Sequence, residues 1–130
     1  MINKKEYTLF TQKTKNLLQK YRHKKDDKNV YYINTPYGEL KIFIGNYNRK
    51  IQWIYTIIEY PEKVPQIIRE RNHFNKFSGK YMNFGNNLGY LLAWLYCYIE
   101  DLVNPQENGK LREPISEIVH DKERKFALWK

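Results

Sequence analysis

Residues 30–60 read VYYINTPYGELKIFIGNYNRKIQWIYTIIEY, and this stretch decides the fold. In TPYG (35–38), proline at the second position and glycine at the fourth are typical of a type I turn, here between the strand VYYIN (30–34) and its successor. In ELKIFIG (39–45), leucine and isoleucine alternate with charged residues, so one face of that strand should be buried. After a second turn, KIQWIYTIIEY (50–60) is β-branched and aromatic on both faces, which is typical of a central strand. The stretch therefore predicts a three-stranded antiparallel meander.

Helices are expected on either side of this meander. An amphipathic stripe opens the chain, with residues spaced along one helical face at Phe10, Thr14, Leu17, Leu18 and Tyr21. The polar run HKKDDKN (23–29) should end that helix as a loop. KYMNF (80–84) is a candidate fourth strand, and Asn87 should cap the apolar helix 88–103, the expected centre of the core. A last amphipathic helix is expected from Pro114 onward.

The predicted fold class is α+β: a small antiparallel sheet of three to four strands packed against a buried apolar helix, with amphipathic N- and C-terminal helices. We expect a single domain over residues 1–130, because this length supports one core without disulfides or a metal. Along the chain the domain divides into a basic helix and loop (1–28), the β-meander (29–60), a basic-aromatic connection (61–87) and a helical part (88–130).

The composition predicts a soluble cytoplasmic protein. The single Cys97 cannot form an intramolecular disulfide, and its apolar helix indicates an inert packing thiol. The chain opens without an apolar leader, and its longest apolar stretch, 88–99, is shorter than the roughly 20 residues that span a bilayer. Lys, Asn, Ile and Tyr supply 55 of the 130 residues. Their A- and T-rich codons indicate a low-GC bacterium or its phage-infected host.

Charge is concentrated near the start of the chain. The net charge is +9, and residues 1–28 contribute nine Lys/Arg against three Asp/Glu. A basic segment on a nearly balanced body is typical of proteins that meet a polyanion. The same pattern also fits a solubilising helix face.

The sequence offers little for catalysis, and no cofactor or metal site is expected. No HExxH, CxxC or GxSxG pattern occurs. SGK (78–80) lacks the upstream glycine of a phosphate-binding loop and leads into aromatic residues instead of a helix. His73 beside Arg71 could act as an acid or base, and with Lys80 it would serve a small nuclease or nucleotide-handling enzyme. An isolated surface histidine is the simpler interpretation.

Cations and aromatic residues are interleaved over residues 69–81, a mixture that suits phosphates and bases of RNA or single-stranded DNA. Aromatic residues that pin a loop would produce the same pattern. Together with the basic start of the chain, this segment gives the predicted nucleic-acid or partner-binding residues: Lys13, Lys20, Arg22, Lys24, Lys25, Arg69, Arg71, His73, Lys76, Lys80 and Tyr81.

Two resemblances bear on this prediction. KIFIGN (41–46) and GKYMNF (79–84) resemble the RNP2 and RNP1 strands of RNA-recognition motifs, which stack bases on aromatic residues; Phe43, Tyr81 and Phe84 would be those residues. The family is disfavoured, because the RNP1 glycine pattern is absent and a strand, not a helix, follows KIFIGN. FSGKYMNFG resembles stretches of uncharacterised small prophage and mobile-element accessory proteins.

These observations favour a small basic non-enzymatic binding protein that engages RNA, DNA or a ribonucleoprotein. Its concrete form would be a phage or mobile-element inhibitor of a host nucleic-acid-targeting defence complex, of the anti-CRISPR kind. A protein–protein inhibitor such as a toxin immunity protein, with an acidic patch on its partner, is the alternative, and the small nuclease is a third. The aromatic content also suits a dimer interface.

Overall fold

The computed structural model of the chain describes residues 4–21, 23–28, 30–47, 51–72, 79–83 and 87–114. The elements in chain order are α1 (Lys4–Leu18), β1 (His23–Lys25), β2 (Tyr31–Thr35), β3 (Gly38–Tyr47), β4 (Ile51–Ile58), a 3-10 turn (Pro61–Lys63), α2 (Gln66–Arg71), β5 (Gly79–Asn83) and α3 (Leu88–Val103). The predicted C-terminal helix beyond Pro114 lies outside the described residues.

The five strands form one antiparallel sheet in sequential order, β1-β2-β3-β4-β5. The α+β class is confirmed, and the sheet has one strand more than the upper end of the prediction. The extra strand is β1, which pairs with β2 through His23↔Ile33 and Lys25↔Tyr31. The polar run 23–29 was predicted to be a loop, and that prediction is wrong for its first three residues, because pairing with the buried β2 outweighs their polarity.

The predicted turn between β2 and β3 is confirmed, with Thr35 paired to Gly38. Gly38 has a φ of +93°, in the left-handed region that favours glycine. A β-carbon there would also meet the Glu59 side chain at 2.6 Å. The Thr35 hydroxyl donates to the Gly38 carbonyl at 2.8 Å and accepts the Tyr37 N–H at 3.0 Å, which holds the turn closed.

Helices α1 and α3 cover one face of the sheet, hereafter the inner face. The predicted stripe of α1 is buried at Phe10, Thr14, Leu17 and Leu18. Helix α3 begins and ends where the sequence predicts, and the Asn87 side chain accepts the Tyr90 N–H at 3.1 Å as its cap. Both helices share one apolar core with the inward side chains of the strands. Each fully buried Leu or Ile in it contributes roughly 1.5–3 kcal/mol.

A buried ion pair attaches the segment after α3 to the core. Asp101, 5% exposed, accepts from the Arg112 guanidinium at 3.1 Å and from the Arg112 N–H at 3.2 Å. Burial raises the pKa of Asp101 above its ordinary value, and the contacts from Arg112 oppose that rise. Arg71 donates to the Arg112 carbonyl at 2.9 Å, which connects α2 to the same segment.

Candidate nucleic-acid interface

The opposite, outer face of the sheet is aromatic and open. Along β3, β4 and β5 the outward positions alternate with the buried ones, and no described helix or strand covers them. Five of these side chains line an open depression of about 390 Å³: Phe43, Trp53, Tyr55, Ile57 and Tyr81. All five are partly exposed, and Tyr81 is 48% exposed.

Two glycines allow the central rings of this face to lie low on the sheet. Gly45 pairs directly with Trp53, and a β-carbon at Gly45 would run into the indole. Gly79, on the other side of β4, would run into the Tyr55 phenol in the same way. Both rings therefore pack directly against the glycine backbone, in space that a side chain would otherwise occupy. The result is a shallow depression lined by aromatic rings.

The aromatic side chains of this face contact one another across neighbouring strands. Phe43, Tyr55 and Tyr81 form one row across three strands, through the pairs Phe43↔Tyr55 and Tyr55↔Tyr81. The Phe43 and Tyr55 ring centres are 6.3 Å apart, and those of Trp53 and Tyr81 are 6.4 Å apart with the planes inclined by 31°. Exposed π faces arranged like this can receive planar ligands by stacking.

Lysines flank this surface on the side of β1 and β2. Lys24, Tyr32 and Lys41 are paired in one outward row. The Lys24 ammonium lies 5.5 Å from the centre of the Tyr32 ring and 3.8 Å from a Glu39 carboxylate oxygen. The Tyr32 hydroxyl donates to Asp26 at 2.9 Å, and this hydrogen bond is the main cause of the raised pKa of Tyr32. Lys41 is paired with Ile57, which lines the depression, and Lys24 lies two strands further from it in the same row.

The structure distributes the predicted binding residues over separate places. Lys24 and Tyr81 lie on the outer face, while Lys25 lies on the inner side of β1 with its ammonium 5.7 Å from the Tyr31 ring. Lys13 is partly buried on α1, and the Lys20 ammonium lies 5.4 Å from the Tyr96 ring of α3.

Two of the predicted cations of residues 69–81, Arg71 and Lys80, lie against α3, not on the outer face. Arg69 is partly buried, and the Arg71 guanidinium lies 5.0 Å from the Trp94 ring. Lys80 is only 7% exposed, with its ammonium 5.4 Å from the Trp94 ring and 5.7 Å from the Tyr98 ring. Burial, with a smaller effect of Arg71, lowers the pKa of Lys80 to about 8.

The prediction that Lys80 is a surface phosphate contact therefore needs correction. Lys80 shares the inward face of β5 with Met82, and the neighbouring Tyr81 points to the opposite face. Arg22, His73, Lys76 and Phe84 lie outside the described residues. The proposed partners of His73 in an enzyme, Arg71 and Lys80, are held against α3. The described residues include no cluster of three or more His, Cys, Asp or Glu side chains that could hold a metal ion.

Sequence reasoning missed Trp53, Tyr55 and Lys41. A signal for the first two was present, because the alternation in β4 places Ile54 and Ile58 on one face and Trp53 and Tyr55 on the other. The two-sided apolar pattern suggested a strand covered on both faces, whereas the described helices cover the face with Ile54 and leave Trp53, Tyr55 and Ile57 partly exposed.

In comparisons with known proteins, no family model, no curated protein and no solved structure matches the chain. Of the residues that resemble RNP2 and RNP1, 41–46 lie on β3 and 79–83 on β5, and β4 separates these two strands. Among the described helices, none has the length and apolar character needed to cross a bilayer.

Proposed function

We propose that this chain is a small non-enzymatic protein that binds single-stranded nucleic acid by stacking bases on the outer face of its sheet. The observation that carries the proposal is the open aromatic surface of Phe43, Trp53, Tyr55 and Tyr81. Base stacking on aromatic side chains contributes about 1–3 kcal/mol per base and is available only to unpaired bases.

The chemistry of the surface favours a nucleic acid over a protein as its occupant. Four of the five lining side chains are aromatic, and every base of a single strand offers a flat face that can stack on such rings. Lys41 and Lys24 stand beside the rings, where they can neutralise the phosphates of a strand whose bases lie on β3–β5. The net charge of +9 favours approach of any polyanion.

The finer part of the proposal concerns biological role. A protein of 130 residues with this charge could occupy the channel in which a host defence complex holds its guide or target strand. The low-GC composition and the resemblance of FSGKYMNFG to mobile-element proteins support this role. Inhibition of such a complex that is relieved by excess single-stranded oligonucleotide would be the expected behaviour.

The decisive experiment is fluorescence polarisation with labelled single-stranded RNA, single-stranded DNA and duplex DNA across a salt series. We expect both single strands to bind more tightly than the duplex, and Tyr81→Ala to weaken them by about fivefold or more. Tyr60→Ala is the matched control, because Tyr60 is similarly exposed at 41% and lies outside the aromatic depression.

Two outcomes would refute base stacking. Duplex binding as tight as single-strand binding would indicate attraction to phosphates alone. Equal effects of Tyr81→Ala and Tyr60→Ala would remove the outer face from the interaction. If no oligonucleotide binds even at low salt, a protein partner becomes the occupant to seek, by capture that survives nuclease treatment.

A further inference from the structure

A second cavity lies on the other side of the sheet, between α1 and the inward side chains of β1–β4. Its volume is about 240 Å³. The α1 side contributes Tyr7, Phe10, Thr11, Thr14 and Lys15, and the sheet contributes Lys25, Tyr31, Ile44 and Gln52. Pockets for drug-sized ligands usually measure about 300–1,000 Å³, so this cavity can enclose only part of such a ligand and would leave the rest at its rim.

Gln52, one of the residues that line the cavity, carries a buried hydrogen-bond acceptor. Gln52 is 0% exposed, and its Nε2 donates to the Gly45 carbonyl at 2.6 Å. Because a carbonyl only accepts, the amide nitrogen must face Gly45 and Oε1 must face away from it. Within the described part of the chain, Oε1 has no hydrogen-bond partner. Leaving such an acceptor unsatisfied is costly, so a ligand N–H group that reached it would bind favourably.

The neighbouring hydroxyl groups add acceptors. Thr14 donates its hydroxyl proton to the Phe10 carbonyl at 2.8 Å, and Thr11 donates to the Tyr7 carbonyl at 3.0 Å. Both oxygens keep lone pairs that can accept, while their protons are already used within α1. The polar lining therefore favours a ligand that brings donors.

The walls and the rim define the rest of the ligand. Tyr7, Phe10 and Tyr31 offer aromatic surface to a flat ring. Lys15 and Lys25, both exposed, come from α1 and β1 and place two positive charges at the rim. These charges disfavour a cationic amine and attract an anion, so a ligand that combines a neutral N–H donor with a negative charge suits the cavity.

We propose that this cavity is a nucleotide-binding site that receives an amino-bearing base, adenine or cytosine, next to Gln52 and its phosphate between Lys15 and Lys25. The site is separate from the outer face and does not depend on the function proposed for it. Hypoxanthine and uracil place a carbonyl oxygen where adenine and cytosine carry the amino group, so it would face the Gln52 oxygen.

The test is NMR titration of the ¹⁵N-labelled full chain with AMP, CMP, IMP, UMP, adenosine and inorganic phosphate. AMP and CMP should shift the side-chain amide signal of Gln52 and bind about tenfold or more tightly than IMP and UMP. Adenosine and phosphate alone should each bind more weakly than AMP. Lys15→Ala/Lys25→Ala should weaken AMP by about tenfold. The matched control, Lys5→Ala/Lys110→Ala, removes two exposed lysines elsewhere and should change nothing.

Three results would overturn the site: equal affinity for AMP and IMP, an equal loss in the control pair, or AMP-induced shifts at Tyr55 and Tyr81 in place of Gln52. The last result would show mononucleotides stacking on the outer face only. Failure of the outer-face proposal would instead appear as unchanged oligonucleotide binding in Tyr81→Ala, with the Gln52 response to AMP intact.

Discussion

Replacing Lys80 by methionine should stabilise the protein at neutral pH and leave oligonucleotide binding unchanged. The pKa of this buried lysine falls from 10.5 to about 8. At pH 7 it is charged in both the folded and the unfolded chain, so the folded state bears the cost of burying an ammonium. The difference between the two pKa values corresponds to about 3 kcal/mol. The contacts of the ammonium with the Trp94 and Tyr98 rings offset part of this cost. The expected increase in the free energy of unfolding of Lys80→Met is therefore about 1–2 kcal/mol.

The effect must depend on pH with a definite sign. Between pH 8 and 10 the folded chain loses the Lys80 proton while the unfolded chain keeps it. The unfolded state then binds more protons, so wild-type stability rises with pH relative to the variant. The advantage of Lys80→Met should therefore shrink to near zero by about pH 9.5.

Urea denaturation followed by circular dichroism at pH 7 and pH 9.5 measures this difference, with Lys41→Met as the matched control. Lys41 is exposed on the outer face, so its replacement should change stability by less than about 0.5 kcal/mol at either pH. It should weaken oligonucleotide binding and lower the salt slope by roughly 0.7. A Lys80→Met variant that loses stability, shows no pH dependence or binds as poorly as Lys41→Met would refute the burial of Lys80.

Two further predictions concern the aromatic surface and the buried ion pair. Gly45→Val should displace the Trp53 ring from its position against the backbone. We expect single-strand binding to weaken severalfold in polarisation assays and the free energy of unfolding to fall by about 1–3 kcal/mol. Unchanged binding would show that the position of the indole does not matter for binding. Arg112→Met should lower the free energy of unfolding at pH 7 by about 3 kcal/mol, because it leaves the Asp101 carboxylate buried without its cation. The folded-state pKa of Asp101 is already raised, so on acidification the folded chain protonates Asp101 before the unfolded chain does. The stability lost in Arg112→Met should therefore diminish at lower pH, as measured by thermal unfolding. A stability loss that grows on acidification would contradict the burial of this carboxylate.

Much of the fold could be predicted because its signals are local. The spacing of Phe10, Thr14 and Leu17 defined the buried side of α1, and Asn87 marked the start of α3. The short β1 could not be found this way, because three polar residues show no alternation and its pairing partner is distant in sequence. Tertiary pairing, not local preference, makes these residues a strand.

The site was harder to predict, because alternation gives the relative direction of neighbouring side chains but not which face is covered. Lys80 and Tyr81 necessarily point to opposite faces, yet both were assigned to one surface. Met82 provided the missing reference, since an apolar residue two positions from Lys80 shares its inward face. The packing of Trp53 against Gly45 and of Tyr55 against Gly79 depends on the strand register, which the sequence does not specify.

Among the described strands, the sequential order places β1 and β5 at the two edges of the sheet, where backbone groups could pair with another molecule. A sheet with an exposed aromatic face is vulnerable to such edge-to-edge association and to the aggregation that follows. Here β1 is only three residues long and carries Lys24 and Lys25, while β5 has a charge directed inward at Lys80. Short, charged edges and inward-directed charges both discourage the addition of a further strand. Lys80, whose burial lowers the stability of the fold, thus also discourages the addition of further strands at the β5 edge.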